Sequence, residues 1–186
     1  MMPEVLRLAI PDILVITPAL FTDNRGAFQE TWNERDFSEL GLPTTFVQDN
    51  QSVSHAGVIR GLHYQLRQPQ GKLVRAVKGR IFDVAVDVRA SSPTIGQWVG
   101  RELSESNREA LWIPAGFAHG FCALTNDTII QYKCTDYYAP NDEYTIRWDD
   151  QVIGITWPDI ASPVISDKDR AGNTWENSPR YQTLAT

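Results

Sequence analysis

Cysteine is almost missing from this chain. Cys122 and Cys134 are the only two among 186 residues, and they form neither a CxxC pair nor a metal-ligand spacing. That excludes a framework of several disulfides and a zinc ribbon; a single Cys122–Cys134 disulfide stays open without positive support, and a reduced, cytoplasmic protein is expected. Long apolar runs are missing as well. The longest early one, Ile13 to Phe21, is too short to cross a bilayer and contains Thr17 and Pro18. Glu4, Pro11 and Asp12 interrupt the apolar residues of the N-terminus, so no secretory leader and no membrane association are expected. A basic excess is absent too. Seventeen Lys and Arg stand against 23 Asp and Glu, a net charge of −6, the opposite of what nucleic-acid binding needs.

Hydrophobic residues make up 42% of the chain, enough for a core without staples, and the length predicts one domain over 1–186. Eleven Pro and 12 Gly punctuate short apolar runs, the rhythm of an all-β sandwich or barrel. Strands are expected at Ile13 to Thr17, Thr45 to Gln48, Val58 to Gln65, Lys72 to Val77, Ile81 to Arg89, Gly96 to Leu103, Gly120 to Leu124 and Thr128 to Cys134. Lys78-Gly79 reads as a hairpin turn between two of them. A short helix is predicted from Glu34 to Leu40, with Asn33 as cap, Gly41 at C′ and Pro43 as a stop. A second helical turn is expected around Ser106 to Ala110. Such short helices cannot cover a parallel sheet, which argues against an α/β fold. From about Trp157 the chain reads as irregular or partly helical, packed back on the barrel; its Ser166-Asp167-Lys168-Asp169-Arg170 run has the look of a solvated loop.

Three histidines are present, His55, His63 and His119. His63 lies in Arg60-Gly61-Leu62-His63-Tyr64-Gln65. Strict alternation places Arg60 and His63 on opposite faces, whereas a bulge at Gly61 brings both to one cavity. His119 ends a P-x-G-x-x-H turn (Pro114, Gly116, His119) that resembles the second motif of the cupin jelly rolls. Metal-binding cupins carry a His-x-His pair where this chain has His63-Tyr64-Gln65. The second ligand is missing, so a metal-free, cupin-like jelly-roll barrel is expected. Lys72 at a strand end and Tyr132 on the face shared with Ile130 and Cys134 complete a base, a cation and a phenol directed into one barrel.

Six blocks, taken together in order and spacing, resemble the dTDP-4-dehydrorhamnose 3,5-epimerase family. They are Asp23-Asn24-Arg25-Gly26, Phe46 to Asn50, Arg60 to Gln65, Gly71 to Arg75, Ile81 to Arg89 and Ile113 to Phe121, within a likeness running from about residue 10 to about residue 170. The resemblance implies a homodimeric, cofactor-free epimerase that converts dTDP-4-dehydro-6-deoxy-D-glucose to dTDP-4-dehydro-L-rhamnose, inverting C3 and C5 beside the C4 ketone. It makes His63 the base, Asp169 the carboxylate behind it, Lys72 the cation at the C4 oxygen and Tyr132 the acid on the opposite face. That lifts Asp169 above the solvated-loop reading. Arg25 and Arg60 are implied in gripping diphosphate and sugar, and Glu30, Gln48, Asn50, His119, Glu143 and Lys168 in further substrate contacts, with Tyr138 packing against the ligand. For His119 a purely structural role, bracing the Pro114-Gly116 turn, stands as a rival. The same resemblance implies that roughly residues 10 to 30 cross to the partner protomer, carrying Arg25 and Glu30 with them. Three other readings remain open from the residues: an epimerase inverting only C3 or only C5, a non-catalytic sugar-nucleotide binding module, and a metal-dependent cupin. The paired catalytic types argue against the second and the absent ligands against the third.

Overall fold

The computed structural model describes residues 2–182. Two antiparallel sheets face each other. The first runs in the order β1 (Glu4–Arg7), β2 (Leu14–Thr17), β10 (Ala110–Ile113), β7 (Lys72–Lys78), β12 (Thr128–Cys134) and β5 (Gln48–Ser54). The second runs β13 (Glu143–Thr145), β6 (Val58–Gln65), β11 (Phe117–Ala123), β8 (Arg80–Asp87) and β9 (Trp98–Ser104), with β14 (Val164–Ile165) pairing parallel to β6. A separate hairpin, β3 (Leu20–Asp23) and β4 (Gly26–Gln29), pairs with neither sheet. The helices are short: α1 (Glu34–Glu39) and α2 (Asp167–Arg170). The architecture is the all-β, double-sheet jelly roll that the punctuation of short runs predicts. Among the described residues, no helix is long and apolar enough to cross a membrane.

The core lies in layers, and that decides what the strands look like in sequence. Val74, Ala76 and Ile130 of the first sheet meet Ile81, Ala85, Leu103, Phe117 and Phe121 of the second. Outside the second sheet, Leu62, Val84, Val86 and Val88 are covered by Ile146 and Ile153, with Trp157, Trp175 and Tyr181 packed against them. Outside the first, Leu14, Ile16, Leu73 and Trp112 are covered by Phe37 and Leu42. A strand such as β8 is therefore buried on both faces, and even its Asp83 and Asp87 are fully buried.

Several boundaries match expectation closely. β6 and β12 fall where the alternation places them. Asn33 caps α1, its side chain accepting from the N–H groups of Arg35 and Asp36, and Gly41 follows the helix at φ +70°. Other expectations are corrected. The Lys78-Gly79 turn is real, with Gly79 at φ +75°, but β7 and β8 do not pair. β7 bonds to β10 and β12 and β8 to β9 and β11, so the turn carries the chain from one sheet to the other. The turn expected around Ser106 to Ala110 forms slightly earlier and extends into no helix: the Arg108 N–H donates to the Ser104 carbonyl at 2.9 Å, closing a single turn. Asn107 Oδ1 accepts from the N–H groups of Ser104 and Glu109, Arg108 sits at φ +58°, and the chain then enters β10. Residues 45–47 precede β5 rather than lying in it, because pairing with β12 begins at Gln48.

Candidate active site

β6 holds the feature that builds the site. Between β6 and β11 the pairing runs His63 with His119 and then Arg60 with Phe121, three steps on one strand against two on the other. The extra residue falls at Gly61-Leu62, and it turns Arg60 and His63 to the same cavity, as a bulge at Gly61 predicts. Only glycine fits there. Gly61 has φ +118°, and an added Cβ would lie 2.6 Å from Gly120 Cα and 2.6 Å from the His119 carbonyl oxygen.

The cavity has a volume of about 370 Å³ and opens between the two sheets. His63, Lys72, His119 and Tyr132 all line it, and so do Arg60, Gln48, Asn50, Tyr138 and Glu143. Behind His63 stands Asp169, a neighbour 106 residues away in sequence, with Oδ1 at 2.6 Å from His63 Nε2. Its approach is local in origin. β14 runs alongside β6, the chain turns into α2, and Ser166 caps that turn by accepting from the Asp169 N–H. Asp169 is therefore buried, not solvated, and its Oδ2 accepts the Gly61 N–H at 3.2 Å. Burial alone raises its pKa, but the bonds from His63 and the Gly61 N–H outweigh that and hold the carboxyl below its ordinary value.

Lys72 is 7% exposed and forms no salt bridge among the described residues. Desolvation lowers its pKa, opposed by Cys134, Glu143 and Asp83. Tyr132 packs against the inter-sheet core while its ring borders the cavity, and burial raises its pKa. At the mouth, Glu143 accepts from Tyr138 Oη at 2.9 Å and pairs with Lys168. Gln48 joins the same rim, donating to Asn50 Oδ1 at 2.9 Å and accepting the Tyr138 N–H at 2.8 Å. Arg60 is steadied by Ser54 Oγ at 3.2 Å.

Lys168 reaches the cavity only through its pairing with Glu143, and two further expected residues lie away from it altogether. Arg25 lies at the tip of the β3–β4 hairpin with its side chain 85% exposed and paired to Asp23. Glu30, just beyond β4, accepts from Asn33 Nδ2 and borders a separate groove beside Trp32 and Phe37. The structure also adds residues to the site. Gln65 holds the loop after β12, donating to the carbonyls of Gln68 and Tyr137 and accepting the Ala139 N–H. Asp83 holds His119, Oδ1 to Nε2 at 2.8 Å. An aspartate between the apolar residues Phe82 and Val84 of β8 was the available signal for it. Among the described residues, no group of three His, Cys, Asp or Glu side chains is arranged to hold a metal ion.

A general base braced by a buried carboxylate, a buried cation and a phenol around one opening are the parts needed to remove a proton beside a carbonyl and return it from another direction. Comparison with known proteins agrees. The family model for dTDP-4-dehydrorhamnose 3,5-epimerase matches residues 7–177. The dTDP-4-dehydrorhamnose 3,5-epimerase of Pseudomonas aeruginosa is 53% identical over 173 residues, covering 92% of this chain and 96% of that protein. That of Neisseria gonorrhoeae is 51% identical over 177 residues, covering 95% of this chain, which spans 54% of the longer relative. Among solved structures, the dTDP-6-deoxy-D-glucose-3,5-epimerase of Legionella pneumophila in complex with dTDP-4-keto-L-rhamnose superimposes with a TM-score of 0.93 at 44% identity, covering 97% of this chain and 100% of that one. This chain belongs to the dTDP-4-dehydrorhamnose 3,5-epimerase family.

Proposed function

We propose that this chain is a dTDP-4-dehydrorhamnose 3,5-epimerase, an isomerase that converts dTDP-4-dehydro-6-deoxy-D-glucose to dTDP-4-dehydro-L-rhamnose. The observation that carries the reading is the convergence of His63, Lys72 and Tyr132 on one cavity, with Asp169 2.6 Å behind the imidazole. His63 Nε2 is engaged by Asp169, which leaves Nδ1 to take the proton from the carbon beside the ketone. The C–H electrons move onto the C4 oxygen, where the Lys72 ammonium stabilises the enolate. Asp169 stabilises the imidazolium as it forms. Tyr132 then gives its phenolic proton to the same carbon on the opposite face, and the enolate electrons return to that C–H bond. Solvent resets both groups. Only protons move, so the balance calls for no metal and no redox cofactor. A repeat at the second flanking carbon completes the double inversion.

Binding follows from the rim and the walls. Arg60 takes the diphosphate end, since a guanidinium meets phosphate oxygens with two donors. Gln48, Asn50, His119, Glu143 and Lys168 contact the substrate, and Tyr138 lies against it. Arg25 and Glu30 act in the partner's site. The exposed β3–β4 hairpin, which carries Phe21 and Phe28 at 50% and 67% exposure and pairs with no other strand among the described residues, supports a homodimer in which it reaches across. A fully active monomer in gel filtration at assay concentration refutes that arrangement. One catalytic domain over 1–186, working in the cytoplasm with both thiols reduced, is the organisation this reading carries; Cys122 and Cys134 are both free and buried. The test of the reaction is product identity. The ketosugar is incubated with the protein and the product offered to a rhamnose-forming reductase. Reduction to dTDP-L-rhamnose supports the double inversion, and a product inverted at one carbon makes the enzyme a single-site epimerase.

A further inference from the structure

Asp83 is fully buried, and the proton transfers above give it no task. Its neighbours two residues either side, Ile81 and Ala85, belong to the core between the sheets, so its side chain points into the barrel. One carboxylate oxygen, Oδ1, pairs with His119. The other, Oδ2, is buried with no hydrogen-bond partner among the described residues. A buried carboxylate oxygen left unpaired is unfavourable and needs a reason. Lys72, on the facing sheet, has the complementary problem: a buried ammonium with no salt bridge among the described residues.

The groups around Lys72 narrow the choice of counter-charge. Cys134 lies directly across the β7–β12 ladder, with Tyr132 two residues before it, and Ile113 of β10 is apolar. β6 contributes His63 and Arg60, which add no negative charge, and β11 contributes His119. The carboxylates are Glu143, Asp169 and Asp83. Glu143 is engaged by Lys168 and Tyr138, and Asp169 by His63. Asp83 bonds only to an imidazole, its ladder neighbour Arg101 being held by Glu109, and it has an oxygen to spare.

We infer that Asp83 is a positioning residue of this epimerase: it orients His119 at the cavity wall and supplies the buried negative charge that keeps Lys72 an ammonium opposite the enolate oxygen. Desolvation works against that ammonium, and Asp83 is among the groups that oppose the desolvation. The inference rests on the epimerase reading.

The test is Asp83→Asn, which keeps an acceptor for His119 and removes the charge. Facing sheets pack about 10 Å apart, and a unit charge acting across that spacing at an effective dielectric of about 20 moves a neighbouring group by about one pH unit. The alkaline limb of kcat, where Lys72 loses its proton, is expected to move down by about that much. KM and dTDP affinity are expected to stay within about threefold. Asp83→Glu is expected to restore the limb. His119→Gln is expected to lower activity with the limb unmoved. An unmoved limb in Asp83→Asn, or an equal movement in His119→Gln, overturns the inference. If Asp83→Asn does not fold, nitrogen NMR of the lysine-labelled wild type decides: Lys72 as ammonium at pH 7 supports it and as amine overturns it. Solvent-deuterium exchange into the sugar by the wild type is run alongside. Its absence defeats the epimerase reading itself, whereas exchange with an unmoved limb defeats only this inference.

Discussion

Replacing Asp169 by Asn exchanges one heavy atom and isolates the dyad. The side chain is buried, its Oδ1 is 2.6 Å from His63 Nε2, and its Oδ2 takes the Gly61 N–H at 3.2 Å. Asparagine keeps the volume and one acceptor but removes the charge that the imidazolium meets when His63 takes a proton. A hydrogen bond to a charged group is worth about 1.5–3 kcal/mol, or roughly a 10- to 150-fold change in rate. If the amide also imposes the wrong imidazole tautomer, the loss approaches the roughly 10⁴-fold seen when the same change is made in a serine-protease triad. The expected outcome is kcat down by at least about 10-fold with KM and dTDP affinity nearly unchanged, measured by steady-state kinetics and calorimetry. Stability carries a second signature. The folded carboxyl titrates below its ordinary value of about 3.9, so its contribution is complete above that pH and is lost as pH falls through the lower folded value. Asp169→Asn is expected to flatten the acid side of the stability curve. A variant with wild-type kcat, or one that loses dTDP binding along with turnover, refutes the reasoning.

Lys72→Met made in the Asp83→Asn background removes a buried charge whose pKa desolvation depresses without leaving the Asp83 carboxylate unpaired, so relative to Asp83→Asn it is expected to abolish turnover while raising Tm, by about 2–4 °C for each 1 kcal/mol recovered. The sign follows from linkage. A lysine with a depressed folded pKa destabilises the protein below that pKa, and the penalty fades as pH rises toward about 10.4, so the Tm gain should be largest near neutrality and shrink in alkali; thermal melts across pH check it. Gly61→Ala forces a Cβ to within 2.6 Å of backbone on β11 at φ +118° and is expected to destabilise by more than about 2 kcal/mol in urea titration while separating His63 from Asp169. Tyr132→Phe keeps the packing and removes the acid, so proton exchange at C3 in deuterated water is expected to outlast completed inversion; equal loss of both assigns Tyr132 to positioning or enolate formation.

The parts of the fold that were legible in sequence were those governed by local rules. Alternation placed β12, and Asn33 with Gly41 bounded α1. Gly61 within a strand announced the bulge that brings Arg60 and His63 together. What escaped was set by partners distant in the chain. A tight turn at Gly79 looks the same whether it joins two paired strands or passes between sheets, and only the pairing of β7 with β12 and of β8 with β11 tells them apart. The polarity of Asp83 gives no hint that its strand is covered on both faces. The charged run around Asp169 reads as solvated by composition, and the family likeness, not the composition, drew attention to it. Arg25 and Glu30 lie outside the cavity of their own chain because the hairpin that carries Arg25 pairs with neither sheet and Glu30 follows it beside Trp32 and Phe37.

The central claim is that one imidazole, His63, removes protons on both sides of the ketone. Proton NMR of dTDP-4-dehydro-6-deoxy-D-glucose incubated in deuterated water, with wild-type protein and with His63→Ala, tests it most directly. The account predicts deuterium at both C3 and C5 with the wild type, and at neither with a folded His63→Ala that still binds dTDP. Deuterium entering at either carbon at the wild-type rate in the variant contradicts it.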